Sequence, residues 1–328
     1  MVAPGWWSSS PLRHLVMLAA MLCAVSSEAY VQPLRRPSKL ATTTRMSATT
    51  TTPTGGGASP APETTPPPPR PGPPGVYDAA VATGTTKAST PTKKLIPLSL
   101  LSGAHIGLGA FLMVSCGGSV PAIKAANPGV QRMIAGLMGL PMGLLMVLGG
   151  GGELVTGNFA LVACSYAAGK AKLAELWRNW SVVFLGNFVG SLIIAGLAAV
   201  ADTGVSAGAL ALTAGKLAAP WLAVFCKGIL CNILVCMAVY MSIPHKDLSS
   251  KAAAVLFPIS GFIALGLEHS VANMFLFPFA LFLGADFTIA DFLLKNLIPT
   301  TLGNVVGGAL GVAYAYHAAY GLRKKDRA

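Results

Sequence analysis

Acidic residues are scarce. Asp and Glu together number 11 in 328 residues, and all charged residues make up 10%, against roughly 25% in a soluble domain. That excludes an ordinary water-soluble fold, and a hydrophobic share of 53% puts most of the chain in lipid. Metal-binding patterns are missing as well. None of Cys23, Cys116, Cys164, Cys226, Cys231 and Cys236 forms a C-x-x-C pair with histidines at ligand spacing. The cysteines read as small apolar helix residues, and neither a metal nor a cofactor is expected. A metal triad and a nucleophile–base pair are both absent, which argues against an enzyme, and the paired Asn-Pro-Ala loops of a water or glycerol channel are not found.

What is present is basic. Lys and Arg number 23, for a net charge of +12. In a soluble protein that balance would suggest nucleic acid. Here the basic residues sit in the first 95 positions, in short loops and in the last six positions, where they act as targeting and topology signals. The 37 glycines, many inside apolar runs, suit closely packed membrane helices.

The N-terminal region divides by composition. Residues 1–29 hold an apolar run, Leu15–Val25, ahead of Ser27-Glu28-Ala29. The run is too short to span a bilayer, which takes ~20 residues, and reads as a cleaved signal peptide. Residues 30–48 carry Arg35, Arg36, Lys39 and Arg45 among Ser and Thr with no acid, a transit-peptide composition. The pair resembles the bipartite presequences of algae with secondary plastids, although Tyr30 stands where Phe is usual. A plastid envelope is therefore the expected membrane, with a secretory-pathway or plasma membrane as the alternative. Residues 49–94 are rich in Pro, Thr and Gly and are expected to be a disordered tether.

From residue 95 to 322 the chain is apolar throughout, followed by a basic tail at 323–328. Spans are expected near 98–118, 134–168, 180–200, 220–242, 253–284 and 296–320. The second and fifth are too long for one helix. Each is interrupted, by Gly149-Gly-Gly-Gly-Glu153 and by Gly266-Leu-Glu-His-Ser270. Lys and Arg fall mostly on the side of both termini, which makes that side the inner one.

Glu153-Leu-Val-Thr-Gly-Asn158 aligns with Glu268-His-Ser-Val-Ala-Asn273 at an offset of 115, and Gly186-Asn-Phe-Val-Gly190 with Gly303-Asn-Val-Val-Gly307 at 117. Three spans per unit force opposite orientation. The expected fold is all-α, six transmembrane helices as two inverted three-helix repeats with the second and fifth helices broken at the midplane. Half-helix N-termini meeting there favour an anion.

Charge at the bilayer centre costs at least ~2.5–3.5 kcal/mol, so intramembrane polar groups should line a cavity or be paired. His269 reads as the only histidine within a span core, and its imidazole can donate a hydrogen bond or lend a proton to the anion of a weak acid. Thr156, in the matching break, can approach it from the other half or cap the helix there. Lys227 in the fourth span, whose partner at offset 115 is Leu112, would attract anions or snorkel to the interface. Glu153 and Glu268 read as structural groups that hold the breaks, Glu268 facing away from His269.

These segments, with Lys227-Gly-Ile-Leu-Cys-Asn-Ile-Leu-Val-Cys236, Asn296-Leu-Ile-Pro-Thr-Thr-Leu-Gly-Asn304 and Ser102-Gly-Ala-His-Ile-Gly-Leu-Gly109, resemble the formate/nitrite transporter family over about residues 95–322. The resemblance implies an aquaporin-like protomer in a lipid bilayer, a homopentamer, and passage of formate, nitrite, hydrosulfide or lactate, with or without a proton. It places His269, Thr156 and Lys227 in the substrate pathway, joined by Asn232 and Asn273 of the motifs. It puts apolar constrictions at Leu140, Leu144, Leu154, Val155 and Phe262. Asn158 joins Glu153 and Glu268 in a structural role. Nitrite import is the sharpest expectation for a plastid, and formate the runner-up.

Overall fold

A computed structural model describes residues 72–322. The signal peptide, the transit-like segment, the start of the tether and the basic tail lie outside the described residues. Its helices are α1 (Pro73–Ser89), α2 (Thr92–Gly118), α3 (Pro121–Ala126), α4 (Pro128–Leu137), α5 (Leu140–Gly150), α6 (Val155–Ala167), α7 (Leu173–Ala201), α8 (Ser206–Leu217), α9 (Trp221–Ser242), α10 (Leu248–Ala264) and α11 (Ser270–Phe282), with α12 continuous over Ile289–Gly321. Five stretches are long and apolar enough to cross a membrane: α2, α4–α5, α7, α9 and α12. The remaining span is α10 with α11, two shorter apolar helices.

The tether expectation fails from residue 73 onward. Two prolines open α1, where a missing N–H costs nothing. Tyr77, Ala80, Gly84 and Ala88 form its buried stripe against α6. Gly84 is required there, because a Cβ would collide with the Leu161 carbonyl. The Arg178 guanidinium donates to Ala88 O at 2.5 Å and Thr90 O at 3.0 Å, satisfying carbonyls at the C-terminus of α1. At its other end the Tyr77 hydroxyl meets His317 Nδ1 at 2.6 Å. Burial pushes the Tyr77 phenol up to about 12, so it stays protonated and donates.

Helices α2 and α7 pack along their length, and so do α9 and α12. The two pairs correspond. Gly190 of α7 rests on the Leu100 carbonyl, and Gly307 of α12 on the Ile229 carbonyl. The offset between Leu100 and Ile229 is 129, not 115. The repeat therefore runs in two registers: 129 for α1–α2 against α8–α9, and 115 for the broken spans. In the second register Gly151 and Gly266 correspond, and each turns left-handed, with φ of 70° and 69°, at the end of a half-helix. A second histidine, His105, lies in the middle of α2, so His269 is not alone in a span.

Candidate functional site

Both breaks are built the same way. Two half-helices begin there, and their first N–H groups have no partner within the helix. Val155 N–H donates to Asn187 Oδ1 at 2.9 Å, and Ser270 N–H donates to Asn304 Oδ1 at 2.9 Å. Each asparagine returns its amide to a carbonyl of the break, Asn187 to Glu153 O at 2.9 Å and Asn304 to Glu268 O at 3.0 Å. Glu153 Oε2 accepts from Asn158 Nδ2 at 2.7 Å and pairs with Lys87 at 2.9 Å. Glu268 Oε2 accepts from Asn273 Nδ2 and pairs with Lys216, both at 2.8 Å, and takes a third donor, Asn296 Nδ2, at 3.2 Å.

Lys87 and Lys216 went unrecognised in the sequence, Lys87 as part of the tether and Lys216 as a loop residue. The available signal was the cost of a carboxylate at membrane depth, which demands a cation. Lys227, expected in that neighbourhood, makes no ion pair among the described residues. Its carbonyl accepts Glu268 N–H at 3.5 Å, the counterpart of Glu153 N–H on Leu98 O at 3.2 Å. Its equivalent is thus Leu98 rather than Leu112.

At the centre, Thr156 Oγ1 lies 3.0 Å from His269 Nε2. His269 is the N-cap of α11, and its Nδ1 accepts Ala272 N–H at 3.0 Å. An accepting Nδ1 puts the imidazole proton on Nε2, so His269 donates to Thr156. The Phe262 ring stacks on the imidazole at 5.7 Å. Thr156 follows Leu154 and Val155 and does not cap α6. Its carbonyl is held by Asn232 Nδ2 at 3.1 Å and by Cys236 Sγ at 3.2 Å. Asn232 also donates to Asn304 O at 2.6 Å, so it braces the breaks rather than bordering a path.

Three cavities lie in line. A central void of about 10 Å³ is lined by Ile106, Leu140, Leu144, Leu154, Val235, Ile259, Phe262 and His269. That is at the lower limit for one water. An outer chamber of about 290 Å³ on the side away from α1 shares Leu140, Phe262 and His269 with the void, and also exposes Lys216, Lys227, Glu268 and Asn273. Glu268 therefore borders the same chamber as His269. An inner chamber of about 110 Å³ shares Leu144 and Leu154 with the void and is bordered by Thr83 and Lys87 of α1. The void thus shares Leu140, Phe262 and His269 with the outer chamber and Leu144 and Leu154 with the inner one. Four of the five residues expected at constrictions are among these. Val155 is not: it is fully buried and borders none of these cavities. Thr156 reaches the void only through His269.

Residues 74–318 match the formate/nitrite transporter family. The chain belongs to that family. It is 37% identical over 268 residues to a probable formate transporter of Methanothermobacter thermautotrophicus, covering 76% of this chain and 96% of the relative. It is 36% identical to the formate channel FocA of Haemophilus influenzae, covering 71% and 89%. Among solved structures it resembles an FNT family ion channel (TM-score 0.69, 29% identity, 75% of this chain and 98% of that one). It also resembles a pentameric formate channel with formate bound (TM-score 0.61, 31% identity, 70% and 97%). As a formate/nitrite transporter family member the chain is a membrane transport protein for small anions and not an enzyme. The match begins inside α1, so the family domain includes a segment that composition alone assigned to the tether.

Proposed function

We propose that the chain passes a small monovalent anion, nitrite first and formate as the runner-up, past His269, five copies forming a pentamer. The supporting observation is the Thr156–His269 contact beside a void that is otherwise apolar. A bare anion in such a void loses its hydration, and the Nε2–H of His269, exchanging its bond to Thr156 for one to the anion, is the polar group that can replace part of it.

A neutral imidazole cannot give up that proton outright, since imidazolate would remain. Proton transfer requires a solution proton on Nδ1 first, with loss of the Ala272 bond; the imidazolium then protonates the anion and returns to neutral. The neutral acid crosses the apolar void and ionises on the far side. The presequence reading adds a plastid envelope and import toward the stroma, where nitrite is reduced.

Purified protein in liposomes tests this directly, with nitrite, formate, lactate and hydrosulfide flux measured across pH. Flux of nitrite or formate should exceed that of empty liposomes and rise as pH falls. Flux equal to that of empty liposomes sinks the transport reading. A fluorescent fusion of residues 1–95 should reach the plastid, and arrival at the cell surface removes the nitrite-import argument.

A further inference from the structure

The corner between α1 and α2 carries chemistry that the pore does not use. Its sequence is Thr86-Lys-Ala-Ser-Thr-Pro-Thr-Lys-Lys94. Thr90-Pro91 is the one Ser/Thr-Pro pair among the described residues, and Lys93 stands three positions after the threonine. Both residues of the pair are extended, Thr90 at φ −60° and ψ 127° and Pro91 at φ −60° and ψ 143°, as a proline ring demands of the residue before it. The Thr90 hydroxyl donates to Thr86 O at 2.8 Å in a solvent-exposed bond. Basic groups lie beside it. Lys93 and Lys94 are exposed, and the Arg178 guanidinium is 3.0 Å from Thr90 O and 3.3 Å from Thr92 Oγ1. No acidic residue stands between Asp78 and Glu153, and the one acid of α7, Glu175, is tied to Lys172 N–H. The corner is on the inner side, where Lys and Arg gather.

We propose that Thr90 is a phosphorylation site for a proline-directed kinase, and that the phosphate loosens α1 from the inner break. Such kinases take Ser or Thr ahead of proline, and one class of them favours a basic residue three positions on. Thr90 Oγ attacks the γ-phosphorus of ATP. The new Oγ–P bond replaces the bond to the bridging oxygen, ADP leaves, and the hydroxyl proton passes to the base of the kinase. The phosphothreonine is close to doubly charged and no longer donates to Thr86 O. Its oxygens are stronger acceptors for Arg178 than the Ala88 and Thr90 carbonyls that the guanidinium now serves. The last turn of α1 thus loses its cap and gains negative charge at its C-terminus, where that charge is unfavourable. Lys87 stands in that turn. Its ammonium neutralises Glu153 at 2.9 Å, and its carbonyl accepts from Asn179 Nδ2 at 3.0 Å. A loosened turn leaves Glu153 at membrane depth without its cation, and flux falls.

The test treats the full chain, in nanodiscs with both faces open, with a purified cyclin-dependent kinase and Mg-ATP, and maps phosphate by mass spectrometry. Thr90 should be phosphorylated. Pro91→Ala should abolish the reaction with the hydroxyl still present, and Thr90→Ala should carry no phosphate at this corner. After treatment the backbone amides of residues 86–90 should exchange faster with solvent than in untreated protein. The treated chain, moved into liposomes, should pass formate and nitrite severalfold more slowly. Phosphatase should restore both readings, and Thr90→Ala should show neither change. A folded chain that takes no phosphate on Thr90 overturns the proposal. Phosphate on Thr90 with exchange and flux both unchanged overturns the loosening of α1. The flux reading alone rests on transport by this pore. If untreated protein passes no more than empty liposomes, the transport reading falls, while mapping and exchange still decide for or against the site.

Discussion

Leu154 and His269 hold equivalent places in the two halves, each one residue after the glutamate that anchors its break, and both line the same void. Ile106 with Val235 and Leu144 with Ile259 are further equivalent pairs around it. The centre is therefore an apolar, nearly symmetric box in which one leucine has become histidine. Thr156 breaks the symmetry in the other direction, since its equivalent is Val271. The two exceptions meet at 3.0 Å.

Restoring the symmetry should close the path chemically. His269→Leu removes the hydrogen-bond donor of the void, and a hydrogen bond to a charged group is worth about 1.5–3 kcal/mol. Formate or nitrite flux should fall about 10- to 100-fold, with melting in detergent near that of the wild type. Wild-type flux in this variant contradicts a working role for the imidazole.

The boundary between the outer chamber and the void should leak when its ring is removed. Phe262 stands between the outer chamber and the void and stacks on His269. Phe262→Ala should raise flux of the larger lactate relative to formate in the same liposomes. Truncating a buried Phe costs about 3–5 kcal/mol, so the variant should also melt earlier.

The pair at the outer break should tolerate a double substitution better than a single one. Lys216 and Glu268 are both mostly buried, and removing one partner of a buried pair costs about 3–5 kcal/mol. Lys216→Met should lower the melting temperature of the detergent-solubilised protein more than the double variant Lys216→Met/Glu268→Gln does. A double variant no better than the single one would assign the loss to packing instead of charge.

Close backbone approach makes a sharper demand than glycine content does. A Cβ on Gly307 would run into the Ile229 carbonyl, whereas one on Gly261 would meet open space. Gly307→Ala should lower the melting point and the yield of folded protein. Gly261→Ala lies in a helix and should be neutral or slightly stabilising, by up to ~1 kcal/mol.

The sequence made much of this legible. The paired Glu-x₄-Asn motifs sit in the breaks themselves, so a single offset of 115 located both breaks, the histidine and the threonine. The apolar residues around the void were not read from these motifs: Leu140, Leu144, Leu154 and Phe262 were expected there from the family resemblance, and Val155, expected with them, points elsewhere because neighbouring residues on a half-helix face different directions. The lysines were not legible. Lys87 and Lys216 lie at the ends of the short helices α1 and α8, ahead of the spans they serve. Their equivalence appears only at 129, and the difference of 14 from 115 is the extra chain between span and break in the first half.

By itself, then, the sequence determined a membrane protein of two inverted halves with polar breaks at its centre. Hydropathy and a local motif repeat are properties of the chain read in one dimension. Tertiary structure decided which cations neutralise Glu153 and Glu268, that Asn232 braces while Lys227 borders a chamber, and that α1 borders the inner chamber. Those outcomes depend on which helices pack together across the fold, and a buried carboxylate takes the nearest lysine in space, wherever that residue stands in the chain.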